Sequence, residues 1–307
     1  MKIILTCTLS ALICTSSLAQ VEVEKSKGTL TGKSSLLAEN IPESILDHFN
    51  VNFYTYFKGS DEGGNNAKGS FNTASIEAEL DGLDTKLAQE ITDEAYAYFL
   101  EKWKSKGVTV KCPTAAEIEA TKQFTKDKGK GKAELIAPGS YTEGNAYAKY
   151  LRVLPTNAPQ VKKEYYGNFV YGNAQFFPTD FSGNTSSVNF HIDINFISFK
   201  NGFGTKAAIR GKVGLKTTAG GSVVLWVKAK NLAAGYSNEG IGGSDFYEHD
   251  GNSKLFSGTD EGSFASHSKW IVKINKDAYK AKTLELIKKS IDSQFAEYDE
   301  DVAKAKK

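Results

Sequence analysis

Cysteine is scarce in this chain. Of its three cysteines, Cys7 and Cys14 fall in an apolar N-terminal stretch that reads as a signal peptide, which leaves Cys112 alone. A processed chain with one thiol forms no internal disulfide, so its core has to hold it together. Arginine is scarcer still. Arg152 and Arg210 are the two in 307 residues, and lysine supplies nearly all the positive charge of a chain whose net charge is +2. The planar guanidinium fork is the usual tool for reading bases and gripping phosphate, so nucleic acid is not an expected partner. The histidines His48, His191, His249 and His267 have no zinc-helix spacing. There is no G-x-S-x-G elbow, and Lys128-Gly129-Lys130-Gly131-Lys132 lacks the preceding strand and following helix of a phosphate loop, so it reads as a solvated turn. Beyond the N-terminus no apolar run reaches the length of a membrane helix.

What is present begins with an export signal. Lys2, the apolar run from Ile3 to Cys14 and the small-x-small triplet Ser17-Leu18-Ala19 make residues 1–19 a signal peptide cleaved after Ala19. Residues 20–41 are polar and read as a flexible leader. Residues 42–138 read as an α/β unit, and 139–307 as an antiparallel sheet with a C-terminal helix, continuous with the first unit if the two form one domain. An exported, disulfide-free chain fits a bacterial envelope, in the periplasm or beyond it.

The fold class predicted is α+β: a strand–helix–strand–helix unit, then a mainly antiparallel meander over 188–229, covered by an amphipathic C-terminal helix. In the first half, Val51–Phe57 is a strand running into a long glycine-rich loop at 59–66, and Ala74–Leu80 is a second strand. Leu87, Ile91, Ala95, Phe99 and Trp103 repeat at helical spacing from Asp84, a ready N-cap, to Gly107, a ready stop. Val108–Val110 follows as a short buried strand beside Cys112, a small core hydrophobe, and the capping box Thr114-x-x-Glu117 opens a second helix.

In the meander, Val188, Phe190, Ile192, Ile194 and Phe196 alternate with polar residues, and Asn201-Gly202 suits a two-residue type I′ turn. That turn sets Ile194 opposite Ile209, Phe190 opposite Val213 and Asp193 opposite Arg210. A three-residue loop at 219–221 sets Leu225 opposite Leu215 and Val227 opposite Val213, with Trp226 over Gly214 on the second face. Tyr165–Tyr171 is a strand feeding the meander, residues 231–266 form a long glycine- and acid-rich excursion, and Trp270–Ile274 returns as a strand. The helix from about Asp277 presents Leu284, Ile287, Ile291, Phe295 and Tyr298 on one face.

Two groups of residues carry candidate chemistry. Asp245, Glu248, His249 and Asp250, in the excursion, are the candidate metal ligands; oxygen-rich loops suit calcium, though the spacing is not that of an EF-hand. Tyr165, Tyr166 and Trp226, with Tyr141, Tyr147 and Tyr150 nearby in sequence, are candidate binding aromatics. His191 and Asp193 share one face of a strand near Lys212 and Arg210, read as a solvated face with one ion pair. The function expected is non-catalytic binding of a protein or cell-surface component, without a cofactor. A secreted hydrolase or metal-dependent enzyme using the 245–261 loop is one alternative, and a subunit of an oligomeric β-pore is another.

Overall fold

A computed structural model of the chain describes residues 22–24, 43–65, 70–112, 133–136, 140–144, 147–158, 160–163, 186–201, 209–225, 230–241, 258–259 and 265–306. In chain order these give β1 (Glu22–Glu24), β2 (Glu43–Asn65), β3 (Ser70–Asp81), helix α1 (Thr85–Ser105), β4 (Thr109–Lys111), β5 (Ala133–Ile136), β6 (Ser140–Gly144) and β7 (Ala148–Val153). Then follow β8 (Gln160–Lys163), β9 (Ser186–Asn201), β10 (Ile209–Leu225), β11 (Lys230–Ile241), β12 (Gly258–Thr259), β13 (Ala265–Lys273) and helix α2 (Lys276–Ala305). The protein is an α+β mix in which a curled sheet carries a C-terminal helix. No helix among the described residues is long and apolar enough to cross a membrane.

Among the described residues, eleven strands join one sheet along the path β1-β11-β10-β9-β2-β3-β13-β12, with β4 and β7 also on β2 and β6 on β7. β2 explains the curl. Its residues 51–53 pair with both β9 and β7, and Tyr56 and Phe57 pair with both β7 and β3. β9 and β3 therefore follow one another along the same edge of β2, and the sheet has to roll where one gives way to the other.

Period-2 alternation supplies the core. Val188, Phe190, Ile192 and Ile194 of β9 and Leu46, Phe49, Val51 and Phe53 of β2 are between 0% and 4% exposed. Each such side chain contributes about 1.5–3 kcal/mol by leaving water. α1 covers this face with Leu87, Ile91, Ala95, Phe99 and Trp103, and α2 with Leu284, Ile287, Ile291 and Phe295. Phe99 sits at the junction. Its ring centroid lies 5.2 Å from those of Phe49 and Phe190, 6.2 Å from Trp103 and 6.4 Å from Phe295, so one side chain joins two strands and both helices.

The helices run parallel, because each follows one of two adjacent parallel strands, β3 and β13. Asp84 and Asn275 cap their starts, accepting from the N–H groups of Leu87 and Ala278. α1 ends as its glycine stop predicts: Gly107 has φ +77° and its N–H donates to the carbonyl of Lys104. Parallel helices set like dipole ends side by side, and the charge pattern offsets this. Lys276 meets Asp84, Lys280 meets Glu90 and Glu94, Lys102 meets Asp292 and Lys106 meets Asp299. The acids lie early in α1 and late in α2, and that order matches only in the parallel arrangement.

Several expectations are corrected. β9 and β10 do pair antiparallel, but Ile194 lies opposite Thr217 and not Ile209, which pairs with Asn201. Phe190 faces Gly221 in place of Val213, and Asp193 faces Thr218 in place of Arg210, whose partner is Lys200. Residues 219–221 are not a loop: β10 continues through them to Leu225, with an irregularity against β11 between Ala219 and Gly221. Leu225 pairs with Ser186 and Lys230, and Leu215 with Ile241, so the expected Leu215–Leu225 pair does not form. The physical reason is parity. The partners of Phe190 to Ile194 have moved eight residues, from 209 to 217 for Ile194, and an even shift keeps those side chains on their original face, whereas before the irregularity between Val213 and Lys216 the shift is seven. β11 occupies the start of the expected excursion, β2 runs through Gly59–Asn65 where a loop was expected, and β1 pairs with β11 from within the expected leader. The predicted strand at 165–171 and the helix from Thr114 lie outside the described residues.

Replacing Phe99 with alanine should cost about 3–5 kcal/mol in urea unfolding, and with leucine less than about 1.5 kcal/mol. Equal small losses for both would show that the ring does not join the layers.

Candidate functional site

On the sheet face away from Val51, Phe53, Ile192 and Ile194, the alternation places polar side chains at Asn50 and Asn52 of β2 and at His191 and Asp193 of β9. Pairing aligns them in rows. Asn50 lies beside His191, and Arg152 of β7, Asn52, Asp193 and Thr218 of β10 form the next row. Two residues further along, Tyr54 lies beside Tyr150, their ring centroids 5.2 Å apart.

Asn52 is the hub of this cluster. Its Nδ2 donates to Asp193 Oδ1 at 2.7 Å, and its Oδ1 accepts from Arg152 Nε at 2.9 Å and from Asn50 Nδ2 at 3.1 Å. Arg152 Nη2 donates to the Tyr150 hydroxyl at 3.0 Å, and the guanidinium carbon lies 5.3 Å from that ring's centroid. The amide thus stands between the guanidinium and the carboxylate, bonded to both. Asn50, Asn52 and His191 are buried, while Asp193, Arg152, Tyr150 and Tyr54 are half-buried. Among the described residues Asp193 Oδ2 accepts no hydrogen bond.

The position of Arg152 is fixed from behind. The segment after β7 is tied to α1 by Asp93, which accepts from the Thr156 N–H at 2.8 Å and from the Thr156 hydroxyl at 2.7 Å. Gln89 adds a donor to the Leu154 carbonyl at 2.9 Å. α1 therefore packs the apolar face of the sheet and also holds the strand end that carries Arg152.

Burial pushes the Asp193 carboxyl above the ordinary carboxylate range, against the hydrogen bond from Asn52 and the charge of Arg152, which pull it down. The solvated face with an Arg210 ion pair, expected for His191 and Asp193, is thereby corrected: His191 is 5% exposed, and the cation near Asp193 is Arg152. The metal-ligand candidates Asp245, Glu248, His249 and Asp250 and the aromatic candidates Tyr165, Tyr166 and Trp226 lie outside the described residues. Among the described residues, no group of three His, Cys, Asp or Glu side chains is placed to hold a metal ion. Tyr150, one of the aromatics in the sequence cluster, is in the site. Asn52 and Arg152 are the residues that sequence reasoning missed. Their signal was the alternation Asn50-x-Asn52-x-Tyr54 and one of only two arginines, but 100 residues separate Asn52 from Arg152 and no pattern announces that pairing.

No family model, no curated protein and no solved structure matches this chain. The class that fold and site define is an α+β protein whose curled sheet is packed by helices on one face and bears a braced polar cluster on the other.

Because the folded state raises the Asp193 pKa, it holds the proton more tightly than the unfolded chain does. This contribution favours folding at pH below the unfolded carboxylate range and is lost as pH rises through the folded value. Asp193→Asn keeps an acceptor for Asn52 and removes the titration. Its melting temperature relative to the parent should therefore be highest at pH 7–8 and fall as pH drops toward 4. A difference independent of pH would show that Asp193 titrates as a solvated carboxylate.

Proposed function

We propose that this is an exported protein of a bacterial envelope, periplasmic or secreted, that acts by binding a protein or cell-surface component and not by catalysis. Residues 1–19 are its signal peptide, and it works without a cofactor. The finer architecture behind the proposal is a strand–helix unit feeding a mainly antiparallel sheet under the C-terminal helix. The observation that carries the reading is the cluster around Asn52. Its side chains are held by one another and from behind by α1, and half-buried tyrosines lie next to them. A surface braced in this way loses little freedom when it meets a partner, and rigid aromatics beside amides are effective contact groups. An oligomeric pore would need the apolar face of β9 open to lipid, and here Val188, Phe190, Ile192 and Ile194 of that face lie under 5% exposed.

Expression of the full chain in a bacterium, followed by N-terminal sequencing and cosedimentation with isolated envelopes, tests the proposal. The expected product starts at Gln20 and sediments with envelopes saturably. A product that keeps Met1 in the cytosol, or that binds no envelope fraction, contradicts it.

A further inference from the structure

We infer that the row Arg152–Asn52–Asp193, with the Tyr54–Tyr150 pair beside it, is a binding site for a neutral, hydroxyl-rich ligand, a saccharide unit of a surface polysaccharide. The inference rests on the binding function proposed above and names the class of its ligand.

Charge decides the class first. Asn52 is bonded to a guanidinium on one side and a carboxylate on the other, so one positive and one negative group stand in the same row. An anion that approaches Arg152 also meets Asp193, and a cation that approaches Asp193 also meets Arg152. A neutral ligand meets neither repulsion. Hydrogen bonding decides next. Asp193 Oδ1 is committed to Asn52, and Oδ2 accepts nothing among the described residues. A half-buried carboxylate oxygen wants a donor, and a hydroxyl supplies one without bringing charge. The amide of Asn52 holds the carboxylate plane, so Oδ2 is presented in one orientation. Asn50 lies behind it as a positioning residue through its bond to Asn52.

The aromatic pair completes the match. Tyr54 and Tyr150 lie two residues along their strands from Asn52 and Arg152, a step of about 7 Å at roughly 3.3 Å per residue. That step is on the scale of one sugar ring. A hexose can set a hydroxyl against Asp193 while its C–H groups lie against the half-buried Tyr54–Tyr150 pair, whose rings also contact Phe57 and the Arg152 guanidinium. Arg152 is bonded to Asn52 and to the Tyr150 hydroxyl, so it ties the polar row to the aromatic one. Asp193, Arg152, Tyr150 and Tyr54 are all half-buried, open enough to be touched and enclosed enough to exclude part of the water.

The test is affinity electrophoresis of the processed full-length protein. Native gels carry soluble neutral polysaccharides (dextran, galactomannan, hydroxyethyl cellulose, soluble starch) or the anionic polymers alginate and pectate. At least one neutral polymer should retard the protein and neither anionic one should. Asp193→Asn, confirmed as folded by its melting temperature, should weaken that retardation about tenfold, since its amide turns a donor where the acceptor stood. Asn52→Ala should weaken it as well. Retardation by no neutral polymer, retardation by anionic polymers alone, or unchanged retardation of folded Asp193→Asn would each overturn the inference. Should saturable envelope binding persist in Asp193→Asn and disappear when the envelopes are treated with protease, the saccharide site fails while the binding function stands. Should the parent bind neither envelopes nor polysaccharides, both fail.

Discussion

The contacts around Phe99 pin the layers of this fold to one another. A curled mixed sheet with no disulfide among the described residues needs one place where its strands and both helices are pinned together, and the ring of Phe99 touches Phe49, Phe190, Trp103 and Phe295 at that place. Aromatic side chains suit this position because each buries a large area in a fixed shape. Phe49 and Phe190 belong to β2 and β9, the two strands whose opposite face carries Asn50, Asn52, His191 and Asp193. The packing that stabilises the sheet thus sets the register that assembles the polar cluster.

The division of labour between the faces follows from this. The helix-covered face supplies the free energy of folding, and the other face carries groups that cost some of it. Asp193 is held in surroundings that disfavour its charge, and Asn52, buried and hydrogen-bonded to three neighbours, has little apolar packing to offer. Natural sequences break local consistency of this kind mostly at functional places. The parallel helices add a second control. Their lysine–carboxylate pairs match the direction that β3 and β13 impose, and the ties from Asp93 and Gln89 hold the segment after β7, which follows Arg152, against α1.

What was legible in the sequence had a short range. The first helix was readable to its cap and its stop, Asp84 and Gly107, because helix periodicity and caps are local signals. The C-terminal helix and its apolar stripe were readable for the same reason. The alternation in β9 correctly gave its buried face. Its partner residues were not readable. Agreement of faces across a hairpin distinguishes odd slips from even ones and nothing more, so a register eight residues away satisfied the same test. The turn chemistry of 219–221 was also outweighed, since β10 gains pairing with β9 and β11 together by continuing through Gly220 and Gly221. The cluster around Asn52 was hidden because it takes one residue or two from each of three strands that are far apart in sequence. His191 and Asp193 were noticed as a pair on one face, and the neighbours that turn them into a buried cluster came from β2 and β7.

A double-mutant cycle on Asn52 and Asp193 asks whether these two side chains, 141 residues apart, act as one unit. Urea unfolding of the parent, Asn52→Ala, Asp193→Ala and the double variant at neutral pH gives the coupling. The expected interaction is about 0.5–3 kcal/mol, as for residues sharing a hydrogen-bond network. Additive losses, to within about 0.3 kcal/mol, would mean that β2 and β9 do not hold these side chains together, and the site built on them would be contradicted.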